Sequence, residues 1–196
     1  MPPGRRKFQR PLGELRYRKM FVIAAEGGKT EPQYFALFDD KTIIRVNCLR
    51  GKNESSPQHV LKRMEDYLKK EPLRKSDEAW LVVDKDQWRD DQLVLLHDWA
   101  QSRNNYGFAL SNPKFEYWLL LHFEDGTGGS SSRDCSERLR RHLPDYDKGI
   151  NAAKITLDRI CDAIRRAKTR DTPPSEDWPR STGTTVYKLI NQILAQ

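Results

Sequence analysis

The stretch Ala79-Trp80-Leu81-Val82-Val83-Asp84-Lys85-Asp86 sets an unbroken apolar run directly against two carboxylates separated by one lysine. A half-exposed strand alternates apolar and polar residues, whereas a strand buried on both faces reads as continuous. The run therefore predicts an interior strand of a largely parallel sheet, which needs helices on both of its faces. Open α/β sheets bind ligands just beyond the carboxyl ends of their strands. Asp84 and Asp86 stand at such an end. Hard oxygens there suit Mg²⁺ (or Mn²⁺); Mg²⁺ takes one or two carboxylates and leaves its other positions to water and phosphate. By itself a D-x-D is also an ordinary solvated junction between strand and loop.

The remainder of the chain follows the same pattern. Met20 to Ala25 forms a first buried strand that ends at Glu26. Gly27-Gly28-Lys29-Thr30-Glu31-Pro32 then turns into a helix, with Thr30 as its expected N-cap and Pro32 in its first turn. Tyr34, Phe35 and Phe38 give that helix its packing face. Ile43 to Cys48 reads as a second strand, rich in β-branched residues. A helix follows over about 56–70 with Val60, Leu61, Met64 and Leu68 on one stripe, and another starts at Asp90 with Leu93, Leu96 and Ala100 inward. Gly107 to Leu110 is a short fourth strand, and Asn112-Pro113 signals a further helix start, with Phe115, Trp118, Leu119 and His122 sharing a face. After a Gly/Ser-rich loop over 124–133, helices are predicted over 150–168 and 184–194. This order predicts an α/β fold with a mainly parallel central sheet, helices on both faces and C-terminal helices. The expected division is a basic arm over 1–19, an α/β core over 20–125 and a helical part over 126–196 packed on the same domain.

Charge points to a class of partner. Of the net charge of +7, most lies in the first twenty residues, where Arg5, Arg6, Lys7, Arg10, Arg16, Arg18 and Lys19 face Glu14 alone. Such an arm suits a phosphate polyanion, with Arg5, Arg6, Arg16 and Arg18 as nucleic-acid contacts, or it is a solvated tail. No apolar run approaches the roughly 20 residues of a membrane span, so no membrane partner is expected. Three scattered cysteines fit neither a zinc spacing nor a disulfide framework, which suggests a reducing cytoplasm.

Glu26 closes the first strand as Asp84 closes the third, so the two acids emerge at one edge and can share a metal if their strands are neighbours. Gly27 and Gly28 admit a bulky ligand close to the backbone, and Lys29 can reach a phosphate oxygen. Gly28-Lys29-Thr30 is not a phosphate-binding P-loop, because the earlier glycine of G-x-x-x-x-G-K-[ST] is missing. The apolar strand to Glu26-Gly27, Lys29-Thr30-Glu31, and Val83-Asp84-Lys85-Asp86 resemble the two motifs of a Toprim domain. With Ser111-Asn112-Pro113-Lys114-Phe115-Glu116-Tyr117-Trp118-Leu119-Leu120 and Thr182-Gly183-Thr184-Thr185-Val186-Tyr187, the chain is similar over about 19–195 to the RloB-like family of abortive-infection proteins. That resemblance implies a metal-dependent phosphodiester reaction, commonly nucleic-acid cleavage (RNA such as tRNA, or DNA) in phage defence, controlled by a partner ATPase encoded nearby or by homo-oligomerisation. It implies Glu26 as the acid that moves a proton or binds metal, and Asp84 and Asp86 as metal ligands. Lys114 and Glu116 match the family block. The third acid that often follows D-x-D in Toprim proteins is absent here, which leaves the number of ions open.

Several residues carry two readings. Glu116 gains from the helix dipole at a first turn and could equally serve the site as a catalytic group. Lys114 gains nothing from that dipole, so a phosphate contact explains it, as does plain solvation. Glu31 reads as a favourable helix start, His122 as packed, and Trp88 as a base-stacking or a packed aromatic. Lys85 should point away from the acids on either side. Three functions therefore stand: a Mg²⁺-dependent nuclease, a D-x-D phosphoryl or nucleotide-sugar transferase, and a non-catalytic nucleic-acid-binding or regulatory subunit.

Overall fold

A computed structural model describes residues 19–40, 42–49, 51, 56–86, 88–128, 131–146 and 149–196. Among the described residues, five strands form one sheet: β1 (Lys19–Ala25), β2 (Ile44–Leu49), β3 (Glu78–Asp84), β4 (Tyr106–Asn112) and β5 (Gly183–Thr184). Their order is β2-β1-β3-β4-β5, parallel except for the antiparallel pairing of β5 with β4. Seven α-helices accompany them there: α1 (Thr30–Phe35), α2 (Pro57–Lys70), α3 (Asp90–Gln101), α4 (Phe115–Leu120), α5 (Ser132–His142), α6 (Leu157–Arg170) and α7 (Val186–Leu194).

The continuous apolar runs are buried on both sides, and strand alternation assigns each residue to a face. Met20, Val22, Ala24, Ala79, Leu81 and Val83 pack with Val60 and Met64 of α2 and Leu93, Leu96 and Ala100 of α3. Phe21, Ile23, Ala25, Trp80 and Val82 pack on the opposite face with residues of α1, α4, α5, α6 and α7. This second cluster runs from Phe21 to Ile193, so the helices after residue 130 complete the same core that the strands begin. Asp77, itself buried, anchors the open end of β1 by accepting the Met20 amide at 3.0 Å while Arg74 donates to its other oxygen.

Several boundaries differ from the expected ones. Thr30 is not a side-chain cap: α1 begins at Thr30 with Lys29 as its N-cap residue, and Pro32 is the third helical residue. The Asn112–Pro113 peptide is cis, and Asn112 still belongs to β4 because it pairs with Gly183. Helix α4 therefore starts two residues later than the Asn-Pro signal suggests. The helix expected over 150–168 runs instead over Leu157–Arg170, capped by the Thr156 hydroxyl, after a short 3₁₀ turn over Ala152–Lys154. Thr184 is a strand residue, not a helical one; its hydroxyl meets Ser111 at 2.9 Å, and Thr185 bonds Leu110 through both amide and side chain. Helix α5 was not expected at all.

Topology fixes where ligands can go. From β1 the chain moves outward to β2, then returns to place β3 on the other side of β1. The winding reverses between β1 and β3, and in open α/β sheets the crevice at such a reversal is where ligands bind.

Candidate functional site

Glu26 follows β1 directly, and its amide continues the ladder by donating to the Val82 carbonyl at 2.9 Å. That contact brings its carboxylate to the end of β3, where one oxygen accepts the Asp84 amide and the other the indole N–H of Trp88, both at 3.1 Å. Asp84 turns its Oδ1 to the amide of Phe115, the first residue of α4, at 2.8 Å. Strand parity sends this side chain to the α1/α4 face. Glu31 of α1 meets it there, buried, with Oε1 accepting the Gly27 amide at 3.1 Å.

These acids line one cleft of about 340 Å³ together with Gly27, Gly28, Lys29, Thr30, Lys114 and Glu116. Burial and mutual repulsion raise their proton affinity. Loss of solvent pushes Glu26 up to about 7, against the two hydrogen bonds it accepts, and the charges of Glu31 and Asp86 add to the rise. Asp84 is driven well above the usual carboxylate range by burial and then by Glu31, Glu26 and Glu116, while the Phe115 amide opposes. Glu31 is raised by burial and by Glu116. Lys114 brings a cation to these acids: its ammonium lies 3.8 Å from Glu116 and donates to Ser136 Oγ on α5 at 2.7 Å. The part of this rise that comes from neighbouring carboxylates repelling one another is also what a hard divalent cation relieves.

The donor chemistry thus fits such an ion, although the side chains are not drawn into a ready cage. Among the described residues no three His, Cys, Asp or Glu side chains are grouped so that they could hold an ion as they stand. Mg²⁺ does not require such a cage, because water and substrate phosphate ordinarily fill most of its positions.

The expected site residues are brought together unevenly. Glu26, Asp84, Lys29, Lys114 and Glu116 share the cleft. Asp86 does not line it: it is exposed, in a left-handed conformation with φ of 28°, and its amide donates to the Pro113 carbonyl at 3.0 Å. It still stands close enough to Glu26 to raise that carboxyl. Lys85 points elsewhere, to the Trp88 carbonyl and to Asp90 at 3.0 Å. Trp88 spends its N–H on Glu26 and packs partly against the α2/α3 core. His122 is buried between Tyr34 and the Trp118 carbonyl, each at 3.1 Å, and burial lowers it to about 4. Arg5, Arg6, Arg16 and Arg18 lie outside the described residues.

Glu31 is the acid that sequence reasoning assigned only to helix initiation. Its carboxylate folds back over Gly27, and a Cβ on Gly27 would fall 2.1 Å from its Oε2. The acid-glycine pair at 26–27, followed by a second acid just inside the next helix, was the available signal. Gly27→Ala must displace the Glu31 carboxylate, which takes the acceptor from the Gly27 amide but also takes a charge away from Asp84, so the net change in urea unfolding should stay within about 1 kcal/mol. A loss of several kcal/mol would show that Glu31 cannot leave that seat.

No helix among the described residues is long and apolar enough to cross a membrane. The RloB-like protein family matches this chain over residues 21–193. No curated protein and no solved structure matches it.

Proposed function

The chain belongs to the RloB-like family, and on that premise we propose that it is a Mg²⁺- or Mn²⁺-dependent nuclease of Toprim type. In this reading it cleaves nucleic acid as the toxic effector of a phage-defence system in the cytoplasm, controlled by a partner ATPase. The observation that supports it most is the pairing of Glu26 and Asp84 at adjacent parallel strand ends, locked by the 3.1 Å bond from the Asp84 amide to the Glu26 carboxylate.

Glu26 and Asp84 are the residues that would hold the ion within the cleft, and Asp86, outside its lining, would join them only if its side chain turned toward Glu26. When bound, it polarises the scissile phosphate and lowers the pKa of an attacking water. Where Glu26 does not itself hold the ion, its carboxylate would take the proton of the water as the water oxygen bonds to phosphorus, and the departing sugar oxygen would take up a proton from solvent. Lys29 and Lys114 face the same cleft and steady phosphate charge, with Glu116 beside Lys114. The basic residues Arg5, Arg6, Arg16 and Arg18 hold the strand through its backbone, without regard to sequence.

The test is to incubate the purified chain separately with duplex DNA, total RNA and tRNA, with Mg²⁺, Mn²⁺ or a chelator, alone and with its neighbouring ATPase. Cation-dependent cleavage of one substrate is expected. Intact substrates under every condition, with retained binding, would replace this reading with that of a non-catalytic nucleic-acid-binding subunit.

A further inference from the structure

Lys114 enters the cleft from the residue just before α4, between two different neighbours. Its ammonium is 2.7 Å from Ser136 Oγ and 3.8 Å from Glu116. Ser136 is buried on α5, an element that supplies none of the residues lining the cleft. The Tyr146 hydroxyl also donates to Ser136 Oγ, at 3.4 Å, and the Tyr146 ring is itself buried beneath the Arg140 guanidinium. A buried serine thus accepts from a lysine and a tyrosine at once.

A lysine stem is flexible, and its head is a compact charge drawn to any nearby carboxylate. Left unrestrained beside Glu116, Asp84 and Glu31, this ammonium would settle among the acids and compete there with a bound cation. The Ser136 oxygen offers it an acceptor on the α5 side of the cleft instead. We propose that Ser136 is the positioning residue for Lys114, holding its ammonium at the cleft wall where it meets substrate phosphate, with Tyr146 fixing the serine hydroxyl. This inference rests on the nuclease reading of the same cleft. It also couples α5 to the cleft, since a displacement of that helix moves the lysine.

Ser136→Ala, assayed on whichever of tRNA, total RNA or duplex DNA the chain cleaves, should lower kcat by about 10- to 100-fold, the usual effect of a misplaced group. KM should hold, whereas the melting temperature should fall modestly, because the Tyr146 hydroxyl and the Lys114 ammonium lose a buried acceptor. Tyr146→Phe should give a smaller loss in the same direction. In a Lys114→Ala background, Ser136→Ala should cause no further loss, because both act through one group. Losses that multiply, or an unchanged kcat in Ser136→Ala, would overturn the proposal. A second readout does not depend on activity: acylation of Lys114 by a soluble amine-reactive reagent in chelator, followed by peptide mass spectrometry, should be several-fold slower in Ser136→Ala, because the freed ammonium settles among the acids and holds its proton there. If no substrate is cleaved the nuclease reading fails, yet unchanged labelling would still overturn the Ser136–Lys114 hold on its own.

Discussion

Asp84→Asn should abolish cation-dependent cleavage and, in the absence of divalent cations, make the protein more stable than the wild type. The two effects share one cause. An ion at a phosphoryl centre supplies several kcal/mol of charge stabilisation, and each 1.4 kcal/mol or so is tenfold in rate, so a loss on the order of 10³-fold is expected. The stability gain follows from the mutual repulsion of the cleft acids. Asp84 is pushed well above its usual range because its charge is buried beside Glu31, Glu26 and Glu116. Above that raised value the ionised side chain strains the fold, and an amide of the same shape removes the charge. Its oxygen still accepts the Phe115 amide, so no buried donor is orphaned. For a domain of this size each kcal/mol relieved raises Tm by roughly 2–4 °C. Thermal melts in chelator at about pH 8, run beside the cleavage assay, decide it. Normal cleavage by Asp84→Asn would remove Asp84 from the chemistry, and a lower Tm would show that its charge is not strained.

The sheet was legible because burial on two faces leaves a simple mark. Met20–Ala25 and Ala79–Val83 are continuous apolar runs, and both are interior strands. Their terminal acids were visible for the same reason. What the sequence left conditional was adjacency: only the pairing of β1 with β3 puts Glu26 against Asp84. Helix α5 escaped notice because its one-sided pattern is carried by Cys135, Ser136 and Leu139 among six charged side chains, too few apolar residues to show a period. Ser136 went unseen with it. The start of α4 was misplaced because Asn-Pro carries a strong local signal, whereas the pairing of Asn112 with Gly183 spans a long stretch of the chain. The place of Glu31 in the cleft was not legible because its fold-back needs the missing side chain of Gly27, a through-space condition.

Mg²⁺ should stabilise the protein strongly at about pH 8 and hardly at all at about pH 5. Glu26 is raised from 4.5 to about 7, so the folded state binds its proton more tightly than the unfolded chain does. Its contribution is fully present below 4.5 and is lost as pH rises through 7, amounting to roughly 3 kcal/mol. His122 runs the other way. Lowered from 6.5 to about 4, it contributes fully above 6.5 and loses that contribution as pH falls toward 4, by a similar amount. Between 4.5 and 6.5 these two changes nearly cancel, so a melting curve of the wild type against pH alone would look deceptively flat. The difference between melts with saturating Mg²⁺ and with chelator isolates the acids, because His122 lies away from the cleft, against Tyr34 and Trp118. A cation competes with protons for Glu26 and Asp84, so that difference should grow with pH, to on the order of 5–10 °C. Glu26→Gln and Asp84→Asn should each remove most of it. A Mg²⁺ shift of equal size at both pH values would mean that the ion binds elsewhere, and no shift at all would separate these carboxylates from metal binding altogether.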